Sequence, residues 1–432
     1  MKKPVCIFWF RRDLRLEDNA GLYNALNCGI PVLPIFIFDK SILDQLEDKS
    51  DRRVTFIYRQ LALINIELQK HNASLKIFYD TPQAACQVLF KEFDVKAIYT
   101  NCDYEPYAKK RDAEIEILCV QHGIDFIACK DQVIFEKDEI VKDDETPYTI
   151  FTPYSKKWKL KFRQTKVQPF NSENHCNNFF KKSFSFPSLK SIGFEVNTLH
   201  LPGPQVDKST ILNYHINRDF PFPGKTTHVS LHLRFGTISI RQLAILANKI
   251  NEKYLDELIW REFFMQVLWH FPQVVNHPFK RKYENIKWRN DEKEFEKWCN
   301  GETGFPIVDA GMRELNETGF MHNRVRMIVA NFLTKILLID WRWGETYFAQ
   351  KLADFELSSN NGNWQWAAGC GCDAAPYFRI FNPLVQAERF DPENKYISKW
   401  IPEFKTNKYL KPMIDFNFAR KKSLELYKEA LS

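Results

Sequence analysis

The chain has 432 residues, more than one ordinary domain uses, so two or three domains are expected. A composition 44% hydrophobic and 27% charged is that of a soluble globular protein and excludes a disordered chain. The formal charge of +7 leans toward the C-terminal half, which suits a polyanionic partner such as nucleic acid without requiring one. No run of about eighteen apolar residues offers a membrane span. The first residues, MKKPVCIFWFRRDLRL, carry charge on both sides of a short apolar run and no cleavage site, so the chain reads as cytoplasmic. Ten cysteines without a CxxC pair or a Cys/His cluster indicate neither a disulfide framework nor a metal site.

In chain order, the apolar runs at 5–10, 31–39, 74–80 and 96–101 read as buried strands, with helical patterns near 19–28, 50–71, 82–92 and 106–122 between them. That alternation predicts an α/β domain over residues 1–130, a Rossmann-like parallel sheet covered on both faces. No GxGxxG follows the first strand, so the usual dinucleotide fingerprint is missing. Ligands of such sheets sit beyond the strand carboxyl ends, which makes Arg11, Arg12, Asp13 and the segment Asn101 to Glu105 candidates; an edge loop of solvated charges is the plain alternative. From about Lys156 to Gly203 the periodicity fails, and residues 131–205 read as an inter-domain connector. The remainder, 206–432, predicts an all-α domain with helices near 207–218, 228–233, 239–248, 253–270, 292–299, 307–317, 321–337, 344–354 and 416–431. Nine of the eleven tryptophans fall between Trp260 and Trp400, so the aromatic chemistry belongs to this half.

Four stretches of the helical half carry residues suited to a site. Gly224 to Ser230, GKTTHVS, offers hydroxyls and backbone N–H groups ahead of a helical run, where either a phosphate or a simple helix cap would use them. Glu257, Trp260, Arg261 and Phe264 share one helix stripe, either a carboxylate held beside an indole or an amphipathic helix whose Glu257 and Arg261 pair at its margin. In Met321 to Met327, MHNRVRM, Asn323 and Met327 share a face, Arg326 calls for an acid such as Asp354 or Glu356, and His322 reads as structural. The stretch Asp354 to Pro383, DFELSSNNGNWQWAAGCGCDAAPYFRIFNP, alternates breakers with large aromatics and is expected to form no long helix. Its amides and paired indoles would suit a planar heterocycle, or else an irregular loop filling core.

Taken together, WFRRDLRLEDNAGL (9–22), TTHVS, LIWREFF, TGFPIVDAGMREL, MHNRVRM, NNGNWQW, DAAPYFRIFNP and KWIPEF resemble the DNA photolyase and cryptochrome flavoproteins, most closely the class I cyclobutane pyrimidine dimer photolyases. The resemblance spans nearly the whole chain. It implies an α/β antenna domain followed by a helical domain holding flavin adenine dinucleotide (FAD), which accounts for the missing GxGxxG. By the family's pattern Tyr214 and Thr226, Thr227, His228, Val229 and Ser230 would receive the cofactor's phosphates. Asp354 and Glu356 would face the flavin edge, with Arg326 paired to Asp354 and Asn360 beside N5. Glu257, Trp260, Arg261, Asn323, Arg324, Met327 and Trp366 would meet a flipped-out dimer in damaged DNA, and Trp364, Trp341 and Trp288 would relay electrons to the flavin.

The implied reaction is light-driven repair: reduced FAD gives one electron to the dimer, whose cyclobutane ring splits, and Glu257 stabilises charge on a pyrimidine carbonyl. Tyr107 and Ala108 stand where folate-binding relatives use an Asn-Glu pair, which argues against folate as a second, antenna chromophore and leaves its identity open. The alternative is a cryptochrome-type blue-light sensor; Asn360 and the two stacking indoles favour repair. A monomer is expected.

Overall fold

The computed structural model describes residues 2–199, 201, 203 and 206–432. Five strands, β1 (Pro4–Phe10), β2 (Val32–Asp39), β3 (Lys76–Asp80), β4 (Asp94–Asn101) and β5 (Asp125–Cys129), form one parallel sheet in the order β3-β2-β1-β4-β5. The helices of this part are α1 (Ala20–Leu26), α2 (Lys40–Leu43), α3 (Arg52–Gln69), α4 (Pro82–Glu92) and α5 (Pro106–Gln121). β1 and β2 are continuous apolar runs because helices cover both faces, so Val5, Ile7, Trp9, Leu33, Ile35 and Ile37 all enter one core with Leu89 and Ile115. β5 is not apparent from the sequence: DFIAC is five residues long and only partly buried, so it lacks the apolar run that marks the others.

The further α-helices among the described residues are α6 (Phe151–Gln164), α7 (Lys208–Leu212), α8 (Tyr214–Asn217), α9 (Ser230–Arg234), α10 (Ile240–Ile250), α11 (Glu252–His270), α12 (Glu292–Asn300), α13 (Pro306–Thr318) and α14 (Asn323–Lys335). Then follow α15 (Trp341–Lys351), α16 (Leu357–Ala368), α17 (Pro383–Phe390), α18 (Lys395–Trp400) and α19 (Phe416–Leu431). Two compact units emerge, one of residues 1–136, 161–203 and 229–246, the other of 137–160, 204–228 and 247–432. In the first, Arg241 explains why a helix so late in the chain joins the sheet: its guanidinium is buried against Asp18 and Asp131, at 2.8 and 2.7 Å.

Two expectations about local structure are corrected. The loss of order begins after Gln164 and not at Lys156: α6 runs to that residue, with Phe151, Tyr154, Trp158 and Phe162 buried along it at helical spacing. The basic residues between them obscure that stripe. The second correction is α16, a twelve-residue helix inside the stretch expected to form no long one. Its asparagines and Gly362 are weak helix formers, but tertiary contacts override the propensity. A Cβ on Gly362 would lie 2.2 Å from the Phe264 ring of α11, so only glycine lets the two helices close. Gln365, fully buried, donates to the Val274 carbonyl oxygen at 2.8 Å and accepts from the Phe279 N–H at 2.8 Å. A Gly362→Ala substitution is therefore expected to destabilise the protein by about 1–3 kcal/mol through overpacking, measured by urea unfolding, and Phe264→Leu should recover part of the loss in the double variant.

Candidate active site

Helix α11 starts from a true N-cap, Asn251, whose side chain accepts from the N–H groups of Lys253 and Tyr254. One turn on, Glu257 is ion-paired with Arg218, which follows α8. Burial drives the Glu257 carboxyl above its ordinary pKa, and the Arg218 guanidinium opposes that shift. The Glu257–Arg261 pair that their spacing allows does not form. Arg261 turns instead to Glu356, 3.6 Å away at the start of α16.

Between these charges stands Trp260, half-buried, with one face covered by Phe151: the rings are 3.7 Å apart and within 5° of parallel. Phe151 is held in turn by Asp373, which accepts its N–H at 3.0 Å. The Gly-Cys-Gly-Cys-Asp turn thus acquires a role through its aspartate, while Cys370 and Cys372 remain free thiols.

Arg326 and Asp354 come together as expected, the guanidinium donating to both carboxylate oxygens at 3.1 and 2.9 Å. Asn360 donates to the carbonyl and carboxylate oxygens of Glu345, at 3.0 and 2.9 Å, which leaves its own amide oxygen free to accept. Burial raises the Glu345 carboxyl's pKa, and the Asn360 hydrogen bond opposes that shift. Arg324 reaches Asp219 at 2.5 Å and lies 4.3 Å from the Phe390 ring centroid, with the Met327 sulfur 3.8 Å from its other nitrogen. Asn323 is exposed beside them.

In the GKTTHVS loop, Thr227 is buried and its hydroxyl oxygen accepts from Tyr254 at 3.1 Å; the Tyr214 ring meets Tyr254 edge-on at 5.0 Å. Neither Thr nor Ser caps the helix that follows, because Val229 occupies the N-cap position without a side-chain bond. The unit boundary falls between His228 and Val229, so the five positions expected on phosphate are divided between Thr226 to His228 and Val229 to Ser230.

Trp364 and Trp341 are both buried in the helical core, and Trp288 packs at its margin. Gly344 makes room for Trp364: a Cβ there would meet the indole at 2.1 Å. Trp288 and Trp341 line a common cavity of about 110 Å³ together with Asp340, Arg342 and Cys370. Trp366 is partly buried against the same core.

The donors and acceptors suit a bound heterocycle with a diphosphate. Guanidinium groups, buried carboxylates, an amide with a free oxygen and threonine hydroxyls are brought into one helical unit. His322 Nε2 and Arg324 Nε are buried there without a hydrogen-bonding partner. Among the described residues no cluster could hold a metal ion, and no helix is long and apolar enough to cross a membrane.

The candidates at Arg11 to Glu105 form instead a set of internal pairs. Asp13 is buried and accepts from the Arg11 N–H at 2.6 Å, Arg11 meets Asp112 at 2.5 Å, and Arg12 meets Asp103 and Glu105 at 3.2 and 3.1 Å. They are not solvated edge charges.

The likeness to known proteins covers both parts of the chain. The model described as DNA photolyase matches residues 6–172, and that described as the FAD binding domain of DNA photolyase matches residues 254–429. A deoxyribodipyrimidine photo-lyase of Synechococcus is 35% identical over 94% of this chain and 89% of its own length. A class III photolyase of Agrobacterium tumefaciens superposes with a TM-score of 0.86 at 29% identity, covering 100% of this chain and 98% of that one. An archaeal photolyase of Sulfolobus tokodaii, solved with two FAD molecules, gives 0.82 at 34% identity over 98% and 100%. The chain belongs to the DNA photolyase family. It is an enzyme of that family, acting in DNA repair, and its C-terminal part is an FAD-binding domain.

His322 provides a pH test of the site's packing. Its Nδ1 accepts the Arg324 N–H and caps α14, while burial, with Arg324 and Arg326 nearby, brings its pKa down to about 4 from an ordinary 6.5. The unfolded chain takes up that proton first, so the stability this neutral imidazole allows is present above pH 6.5 and is lost as pH falls toward 4. Between pH 7 and 5 the loss should reach up to about 2 kcal/mol in urea unfolding. His322→Asn, which retains a capping side chain, should be less sensitive to acid.

Proposed function

We propose that the chain repairs cyclobutane pyrimidine dimers in DNA, using light absorbed by bound FAD. The observation that carries this reading is Glu257, a carboxyl whose pKa is raised by burial, one turn from the half-buried indole of Trp260. A group so placed can hold a proton toward a pyrimidine carbonyl as charge develops there, while the indole receives a base by stacking. Stacking on one aromatic contributes roughly 1 to 3 kcal/mol per base. A dimer already stacks and pairs poorly, so flipping it out costs less than flipping normal bases. Trp366, Asn323, Arg324 and Met327 would complete the dimer's surroundings, with Asp219 setting the direction of Arg324.

FAD, when bound, supplies the light-driven electron. Arg326 and Asp354 would address the polar edge of its ring system, supported by their paired geometry, and Glu356 would be fixed by Arg261. Asn360 would accept a hydrogen bond through the amide oxygen that Glu345 leaves free. Tyr214, Thr226, Thr227 and His228 would hold the phosphates. Trp364, Trp341 and Trp288 would carry electrons inward from the surface, supported by the burial of the first two and the marginal position of the third.

The test is thymine recovery from dimer-containing single-stranded and duplex DNA under blue light by flavin-replete, reduced protein. Absence of light-dependent recovery would overturn the reading. Glu257→Ala should lower repair on the order of tenfold, the loss of one hydrogen bond to a charged group, while FAD absorbance stays unchanged. Trp288→Phe should slow photoreduction yet spare repair by enzyme reduced beforehand.

A further inference from the structure

Lys335 ends α14 with its ammonium nitrogen enclosed among rings. The residue is fully buried, Nζ donates to the Tyr377 carbonyl oxygen at 2.9 Å, and the nitrogen stands 5.4 Å from the centroid of Tyr427. Among the described residues no carboxylate pairs with it. Tyr427, on α19, is itself fully buried, donates its hydroxyl to the Ala368 carbonyl oxygen at 3.0 Å, and meets Trp288 edge-on at 6.1 Å. One ring therefore separates the lysine from the outer indole of the proposed relay. Ala368 and Cys370, which flank the Gly369 backbone facing Lys335, also line the cavity that holds Trp288 and Trp341.

We propose that Lys335 controls how readily Trp288 gives up its electron, its protonated form holding the relay back and its neutral form releasing it. The inference rests on the relay reading given above. When light drives the relay, one electron would pass from the Trp288 indole by way of Trp341 and Trp364 to flavin held in the site, leaving Trp288 a cation until an external thiol, itself oxidised, returns an electron. A second positive charge one ring away repels that cation. On this reading Lys335 acts through Trp288.

The geometry also sets the pH of the change. Burial without an acid partner brings the lysine's pKa down to about 7, and Cys370 opposes that fall only in part. The titratable groups that face it are Cys370 and Tyr377 from the segment after α16, Tyr283 from the short turn before α12, and Tyr427 from α19. Burial pushes the Cys370 thiol up to about 12 and raises the phenols of Tyr283 and Tyr427 as well. Beyond Cys370 stand Asp340, Arg342 and Lys280. At the cavity rim His277 pairs with Glu284 at 2.6 Å and is the competing source of a pH effect.

The experiment measures the yield of oxidised indole after a light pulse in the FAD-loaded protein, from pH 6 to 8.5. The wild-type yield should rise about three- to tenfold with a midpoint near 7. Lys335→Met should be high and flat across that range, and Lys335→Arg low and flat. An unchanged pH profile in Lys335→Met would overturn the inference, as would flattening by His277→Gln alone. If Lys335→Met does not fold, a Lys335→Arg profile that still follows the wild type overturns it equally. Trp288→Phe separates the two readings: an undiminished yield in that variant removes the relay itself, whereas dependence on Trp288 without dependence on Lys335 removes only the present inference.

A readout independent of light comes from stability. The unfolded lysine keeps its proton to about pH 10.5 and the folded one only to about 7, so the burial penalty is complete below pH 7 and fades as pH rises between the two. The gain in Tm on Lys335→Met should therefore be larger at pH 6 than at pH 9, and an equal gain at both would count against a titrating lysine.

Discussion

The position of α16 depends on two missing side chains. Gly362 lets the Phe264 ring of α11 lie against its backbone, and Gly344 of α15 admits the far edge of Trp364. Because protein interiors are close-packed, such contacts transmit position from one helix to the next with little slack. They bring Asn360 within reach of Glu345, and Glu356 toward Arg261, one turn from Glu257 on α11. The polar groups of the site are placed by apolar contacts made along the same helices.

Charge pairing gives the site its orientation. Glu257 is set by Arg218, Glu356 by Arg261, Asp354 by Arg326 and Arg324 by Asp219. Pairs drawn partly out of water give little net stability, since desolvation and screening offset much of the attraction. What they contribute is direction: each side chain is held in one rotamer, and a planar ligand meets an ordered array of donors and acceptors. The sheet unit uses the same device internally, where Arg241 joins Asp18 and Asp131 and secures a late segment of chain to an early one.

Sequence reasoning succeeded where the cause of structure is local. β1 to β4 could be read because a strand covered on both faces needs a continuous apolar run, and α11 to α14 because each presents an apolar stripe with a clear stop. β5 could not, being short and half-covered. α16 was missed because its stability comes from Phe264, Val274 and Phe279, residues 98, 91 and 86 positions away from their partners, whereas its own residues argue against a helix. In the site, the need of an arginine for an acid pointed Arg326 toward Asp354 or Glu356, and the choice of Asp354 came from the family resemblance. Arg218, Glu345 and Asp373 carry no local mark of their roles, and the three indoles Trp364, Trp341 and Trp288 acquire a common role only through the family resemblance.

The stacking of Phe151 on Trp260 links two distant stretches of chain, and Asp373 clamps it from a third. An indole with one face already occupied is a shelf, not a clamp. Phe264 of the same helix adds a further ring to it, 5.5 Å away and tilted by 30°. The aromatic surface is thus assembled before any ligand arrives, and the ordering of its first layer is a cost met during folding instead of at each encounter.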